Sequence, residues 1–272
     1  MNDPKIALSA SRIKTVEGCS WLYWCKYKLK LPDASNDGAK RGSICHLIFE
    51  LLGEKRRKKY FNKIVKAQDV FAVPSIKRLI MKHAIREGVD DEDNIELIKE
   101  MTYNGLTYDF FGNEQKGLTE GLSEQALIRD FKTSKEVFKG KDAEDNLQDL
   151  MYSLAVDHLF PEYTNKQSEF LFLKFELNPE AKKSGVMRMQ PLDKDDLRGF
   201  ELHLTEIQRY LDNFSEENAT GNMAAYQGWP TDKSFSKKLL CGFATKKGEL
   251  KKDGTKKWHC GMKFDFFYYV FK

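Results

Sequence analysis

The sequence lacks any run of 18 consecutive apolar residues, so no membrane-spanning helix is expected. Its opening, MNDPKIALSAS, has no basic segment followed by an apolar run, and no secretory leader is expected either. Cysteine is scarce: Cys19, Cys25, Cys45, Cys241 and Cys260 are the 5 in 272 residues. That density does not make a disulfide framework, so the cysteines read as free thiols or metal ligands in a cytoplasmic protein. Internal repeats, heptad arrays and low-complexity linkers are missing, which excludes solenoids and coiled coils. Charge of one sign is also missing. Lys and Arg total 45 against 41 Asp and Glu, a net +4 that does not by itself argue for a nucleic-acid partner.

What is present bounds the fold. With 41% hydrophobic and 12% aromatic residues the chain can bury a substantial core, and 32% charged residues cover it. The length suits one large domain, or one domain with an appendage. Positive charge is concentrated in Lys55–Lys59 (KRRKK) and Lys246–Lys257 (KKGELKKDGTKK). Each run reads either as a solvated face or as a track for phosphates.

Taken in order, Leu8–Lys30 reads as a helix after a Ser9 or Ser11 cap, and Pro32–Gly38 as a connector. A second helix starts near Lys40 and runs toward the basic KRRKK. It puts His46 and Glu50 four apart on one face, either as a hydrogen-bonded pair or around a metal. Cys45 beside them reads as a small core residue. Val70–Lys99 reads as further helix. Met101–Phe111 then alternates like a strand, and Lys116–Ser123 with Gln125–Lys132 reads as a hairpin. Asp142–Phe160 reads as a helix with Leu147, Leu150, Met151, Leu154 and Val156 as its core stripe, and Gln148 and Tyr152 on another face. Glu169–Leu177 is apolar enough for a buried strand, and Leu192–Phe214 is an amphipathic helix opened by Asp193, Asp195 and Asp196. From Trp229 the tail is aromatic and basic and closes with FDFFYYVF, read as a strand. The sum is an α/β layered domain.

The stretch Ala126–Ser134, ALIRDFKTS, carries the chemistry. On a strand Asp130 and Lys132 share one face and Phe131 takes the other. A carboxylate beside an ammonium is either a same-face ion pair or a phosphodiester-cleaving pair. In the second case Asp130 holds a divalent cation and Lys132 orients water or steadies developing charge. Pairing across the Ser123–Gln125 turn would bring Glu120 close to Asp130, a repulsion that a cation between them would relieve.

The order LSASRIKTVEGCSWLYWCKY, GSICHLIFE, GLTEG, IRDFKTS and QDLMY resembles the RecB-like branch of the PD-(D/E)XK nuclease superfamily over roughly residues 8–160. That branch shows an LSxSxLxxxxxCP opening, a GxxxHxxxE helix, a GxxD strand, a D-Y-K-T strand and a QxxxY helix. The chain departs in having Ser20 where the opening has Pro, and Glu120 where the strand has Asp; Asp109 is the reserve acid.

The resemblance implies a restriction-endonuclease-like core, a central mixed β-sheet flanked by helices with an N-terminal helical region. It divides the chain into a mainly helical part (1–99), a catalytic sheet with the QxxxY helix (100–180), and a C-terminal helix with the basic tail (181–272). It implies His46, Glu120 and Asp130 as metal ligands and Glu120, Asp130 and Lys132 as catalytic. Glu50, Thr133, Ser134, Gln148 and Tyr152 would contact substrate or support the site. Mg²⁺ or Mn²⁺ is the implied cofactor, single- or double-stranded DNA the sequence-nonspecific substrate, and exonuclease action of the phage-borne, stand-alone kind the implied activity, in a host cytoplasm. A single-strand-binding or recombination protein is a possible partner. Endonuclease action on the same core and an inactive DNA-binding subunit are the alternatives. Some relatives hold a [4Fe–4S] cluster. Here Cys19, Cys25, Cys241 and Cys260 would have to be its ligands, and the closely spaced C-terminal trio is missing, so free buried thiols are the simpler reading.

Overall fold

A computed structural model of the chain describes residues 7–30, 37–53, 58–115, 125–140, 143 and 146–220. The expected strand at Lys116–Ser123, Glu120 within it, and the aromatic tail with Cys241 and Cys260 lie outside the described residues. The chain divides into one unit made of Met1–Ala34 with Gly199–Lys272, and another made of Ser35–Arg198.

In the larger unit, helices α1 (Asp37–Gly53), α2 (Lys58–Ala67), α3 (Pro74–Glu87) and α4 (Glu92–Gln115) precede the first strand. Helix α3 starts on Pro74 and stops at Gly88, whose left-handed φ of 66° lets its N–H turn back to the carbonyls of Ala84 and Ile85. Asp91 opens α4 by accepting from the Asn94 backbone N–H at 3.0 Å.

The expected strand over Met101–Phe111 is instead the second half of α4, so the helical part runs to Gln115 rather than ending at residue 99. Two periods compete in that stretch. Ile95, Ile98, Met101, Thr102 and Leu106 are the buried positions, three to four apart, and this helical spacing prevails because α1 and α3 supply the surface it packs on. Gly105 permits the close approach: a Cβ there would lie 2.6 Å from the Phe49 ring of α1. Ile44, Ile48 and Phe49 of α1, Ile76 and Ile80 of α3, and Leu171 and Leu173 complete this core.

The sheet has three described strands, β1 (Gln125–Lys132), β2 (Asn165–Phe172) and β3 (Val186–Arg188), in that order. β1 and β2 are parallel, with Asp130 opposite Phe170, and β2 and β3 are antiparallel, so the sheet is mixed. A parallel pair needs a crossover, and helix α5 (Leu147–Leu159) supplies it. Together the N-terminal helices and the mixed sheet with its flanking helices make an α/β fold.

Helix α5 corrects a second expectation. Its fully buried residues are not the leucine stripe but Asp149 and Ser153. The even-numbered face of β2 explains this, because it carries the buried Lys166 and Ser168 before Phe170 and Phe172. A polar strand face selects a polar helix stripe: Asp149, Ser153 and Asp157 recur every four residues, and Asp157 accepts from Lys166. The strand expected over Glu169–Leu177 is displaced toward the N-terminus, ending at Phe172 with a turn after Leu173.

In the smaller unit, two short helices, Ala10–Gly18 and Ser20–Tyr23, replace the single helix expected over Leu8–Lys30. Gly18 disfavours continuation, and Cys19 is extended (φ −161°, ψ 100°) with its Sγ accepting from the Leu22 N–H at 3.4 Å. A π-helical turn, Trp24–Lys28, follows. Tyr23 and Trp24 set their rings edge-on to Phe214, at 5.5 and 5.9 Å. Phe214 follows α6 (Lys194–Asp212), whose first backbone N–H groups, from Asp195 and Asp196, donate to the Asp193 carboxylate at 2.9 and 2.8 Å. Cys19 and Cys25 are buried here, as is Cys45 in the larger unit.

Candidate functional site

Strand alternation builds the site. Phe131 turns to the core side and stacks on Phe49 of α1, ring centroids 4.2 Å apart and planes 25° apart. Asp130 and Lys132 take the opposite face, and Lys132 Nζ donates to Asp130 Oδ2 at 2.6 Å. The ammonium also donates to Gln148 Oε1 on α5. It lies 5.0 Å from the Phe170 ring centre and 5.6 Å from that of Phe138. Two oxygens and two aromatic faces therefore hold one cation in a fixed place.

The pair opens on a cleft of about 970 Å³. His46 reaches it from α1 and Tyr152 from α5, one turn beyond Gln148. Thr133 and Ser134 line it where β1 ends. Because β1 and β2 are parallel, the cleft lies at the carboxyl end of β1, where open α/β sheets bind ligands. Gly42 lets α1 come this near: a Cβ there would lie 2.6 Å from Thr133 Oγ1.

Electrostatics follow from the placement. Desolvation lowers the His46 pKa, and Asp130 opposes that by raising it while Lys132 assists. The net shift is downward, which favours the neutral imidazole, the form that offers a lone pair to a metal. Burial raises the Tyr152 phenol, the Asp130 carboxylate adds to the rise, and a hydrogen bond with Gln148 partly offsets it.

The structure thus brings His46, Asp130, Lys132, Thr133, Ser134, Gln148 and Tyr152 to one cleft. Glu50 is exposed on α1 and lies outside the cleft lining. Asp109 belongs to helix α4 rather than to a strand. Three cationic cleft residues were not singled out from the sequence: Arg41, Lys135 and Lys174. They are 94 and 39 positions apart along the chain (135 − 41 and 174 − 135), and no local spacing links them.

A divalent cation of the Mg²⁺ or Mn²⁺ kind suits the donor chemistry, an imidazole and a carboxylate on the same cleft. Among the described residues no group of three or more His, Cys, Asp or Glu comes together. No described helix is long and apolar enough to cross a membrane.

Comparison with known proteins gives one family. Residues 119–241 match the model of the PD-(D/E)XK nuclease superfamily, a span that takes in Glu120, Asp130, Lys132, Gln148 and Tyr152 but not His46, Glu50 or Asp109. No curated protein and no solved structure gives a significant match.

Proposed function

With a PD-(D/E)XK nuclease superfamily domain over residues 119–241 as its premise, we propose that the protein is a metal-dependent deoxyribonuclease of the RecB-like kind, acting as an exonuclease on DNA. The observation that carries this reading is the Asp130–Lys132 pair at 2.6 Å, open to a cleft that His46 and Gln148 share. Asp130, Glu120 and His46 would hold Mg²⁺ or Mn²⁺, which when bound lowers the pKa of water and neutralises phosphate charge.

The protein's own groups do the rest. Lys132 keeps a positive charge at the point where the scissile phosphate gains negative charge. Gln148 and the Phe138 and Phe170 rings prevent that ammonium from swinging away. Tyr152, hydrogen-bonded to Gln148 and un-ionised, braces Gln148. Glu50, Thr133 and Ser134 have supporting roles in this reading; Ser134 Oγ already donates to the Glu136 carbonyl at 2.6 Å.

A phage-type role in replication, recombination or DNA degradation within a host cytoplasm follows from the same resemblance, with a single-strand-binding or recombination protein as partner. The test uses purified protein with end-labelled linear DNA and closed circular DNA, with and without Mn²⁺. Shortening of linear DNA alone, only with the cation, is the expected result. Nicking of the circle would make it an endonuclease, and no cleavage under any condition would overturn the enzyme reading.

A further inference from the structure

The cleft carries more positive charge than its carboxylates balance. Lys132 engages Asp130 at 2.6 Å, and Lys40 lies 3.7 Å from Asp37, the other cleft acid. Arg41, Lys135 and Lys174 line the same cleft, and among the described residues no ion pair engages Lys135 or Lys174. The three are near enough to repel. Burial lowers the Lys174 pKa first, and the like charges of Arg41 and Lys135 lower it further. Arg41 donates to Asn94 through Nη1, but its Nε is buried and has no hydrogen-bond partner. A guanidinium beside two mutually repelling ammonium groups is an arrangement that an anion stabilises.

Topology narrows the anion. Arg41 comes from the start of α1, Lys135 from the segment after β1, and Lys174 from the turn after β2. The two lysines therefore follow the carboxyl ends of two adjacent parallel strands, beside the Asp130–Lys132 pair. A nucleic-acid strand lying over that pair presents its neighbouring phosphates along the same cleft. Phosphate oxygens match both a guanidinium fork and ammonium donors. A contact made to phosphate alone carries no sequence information.

We infer that Arg41, Lys135 and Lys174 form a phosphate-binding subsite that holds the nucleic-acid strand by a phosphate other than the one cleaved. The inference rests on the nuclease reading for its substrate class, but it is tested by binding rather than by cleavage. The source of the phosphate is either an internal diester or a terminal monoester.

The experiment measures anisotropy of a labelled single-stranded oligonucleotide with full-length protein in EDTA, between 50 and 200 mM salt. Wild type is compared with Lys135→Gln, Lys174→Gln, the double variant, and Lys82→Gln as a control for one exposed charge on α3. Each cleft variant should weaken binding at least about threefold and flatten the slope of log K against log salt by about 0.7 per lysine. Lys82→Gln should do neither. Inorganic phosphate should compete with the oligonucleotide on wild type, and less on the double variant.

Oligonucleotides with 5′-phosphate, with 5′-hydroxyl and as closed circles separate the two sources. A preference for the phosphorylated end that the variants lose assigns a terminal phosphate; equal losses on all three assign an internal one. Affinity and slope that match the Lys82→Gln control in both variants would overturn the subsite. Wild-type protein that binds through these lysines yet cleaves nothing in Mn²⁺ would leave the subsite standing and remove the nuclease reading.

Discussion

Asp130–Lys132 and the Glu169 cluster show how two ion pairs on one sheet come to different uses. Glu169 is fully buried and saturated, with Arg129 Nε at 2.9 Å, Arg188 Nε at 2.8 Å and Tyr108 Oη at 3.3 Å. Both of its oxygens are engaged and it lies outside the cleft lining, so that cluster serves the fold. Asp130 shares one oxygen with Lys132 and faces the cleft, so it can accept a further partner. Asp130→Ala and Lys132→Ala are each expected to lower the cleavage rate by about 10²-fold or more, the scale for removing one group that stabilises developing charge. DNA affinity should change little, because it is spread over many basic contacts. Single-turnover cleavage alongside a binding titration checks both; near-wild-type cleavage by either variant would displace the site. For His46, the neutral imidazole is the ligating form, so His46→Ala should raise the Mn²⁺ concentration for half-maximal activity. An unchanged metal titration would leave His46 a cleft residue only. At this scale Asp130 and Lys132 were legible, since strand alternation is local. Arg41, Lys135 and Lys174 were not, since it takes the parallel pairing of β1 with β2 and the packing of α1 near the end of β1 to gather them.

At the scale of elements, the α4 error and the α5 stripe share a cause. Sequence periodicity reports which positions are apolar, whereas burial is decided by the face that the element meets. Met101–Phe111 fits both periods, and contact with α1 selects the helix. In α5 the leucines are evident, yet β2 offers Lys166 and Ser168, and Asp149 is what becomes buried. Burial raises the Asp149 pKa against partial relief from its hydrogen bonds, including that with Ser153. The sign follows directly. A pKa raised in the folded state contributes stability below the ordinary carboxylate range and loses it as pH rises through the folded value. Asp149→Asn keeps the shape and removes that dependence. Relative to wild type it should therefore gain melting temperature between pH 4 and pH 7; a parallel pair of pH–melting curves would refute this.

Glycine substitutions probe packing at the same scale. Ala in place of a helical Gly gains about 1 kcal/mol of propensity. At Gly199 of α6 a Cβ meets nothing within 4 Å, so Gly199→Ala should raise the melting temperature. At Gly105 the Cβ would press on Phe49 at 2.6 Å and Leu173 at 3.1 Å, and overpacking costs about 1–3 kcal/mol. Gly105→Ala should accordingly melt no higher than wild type, and it should lower activity as well, because Phe49 is stacked on Phe131 between the two cleft residues of β1.

At the scale of the whole molecule, a cation bound to the folded state and not to the unfolded one stabilises by mass action. At a hundredfold excess over its dissociation constant the gain is about 2.7 kcal/mol. For a chain of this size that corresponds to roughly 5–10 °C in melting temperature. Which acids share the cation then becomes a thermal measurement. Asp109 sits on α4, ten residues before the family match begins, while Glu120 lies inside the match and ten residues before Asp130 in the chain. If Glu120 and Asp130 face each other, their repulsion in the metal-free protein costs stability, and a cation removes that cost. Glu120→Gln keeps the size and deletes the charge. It should melt no lower than wild type without metal and gain fewer degrees with Mn²⁺, with activity falling in step. Asp109→Asn should keep the full metal-dependent rise. A variant pair behaving the other way round, with the Asp109 variant losing its response to Mn²⁺ and the Glu120 variant keeping it, would move the first metal acid from the residues before β1 to the end of helix α4.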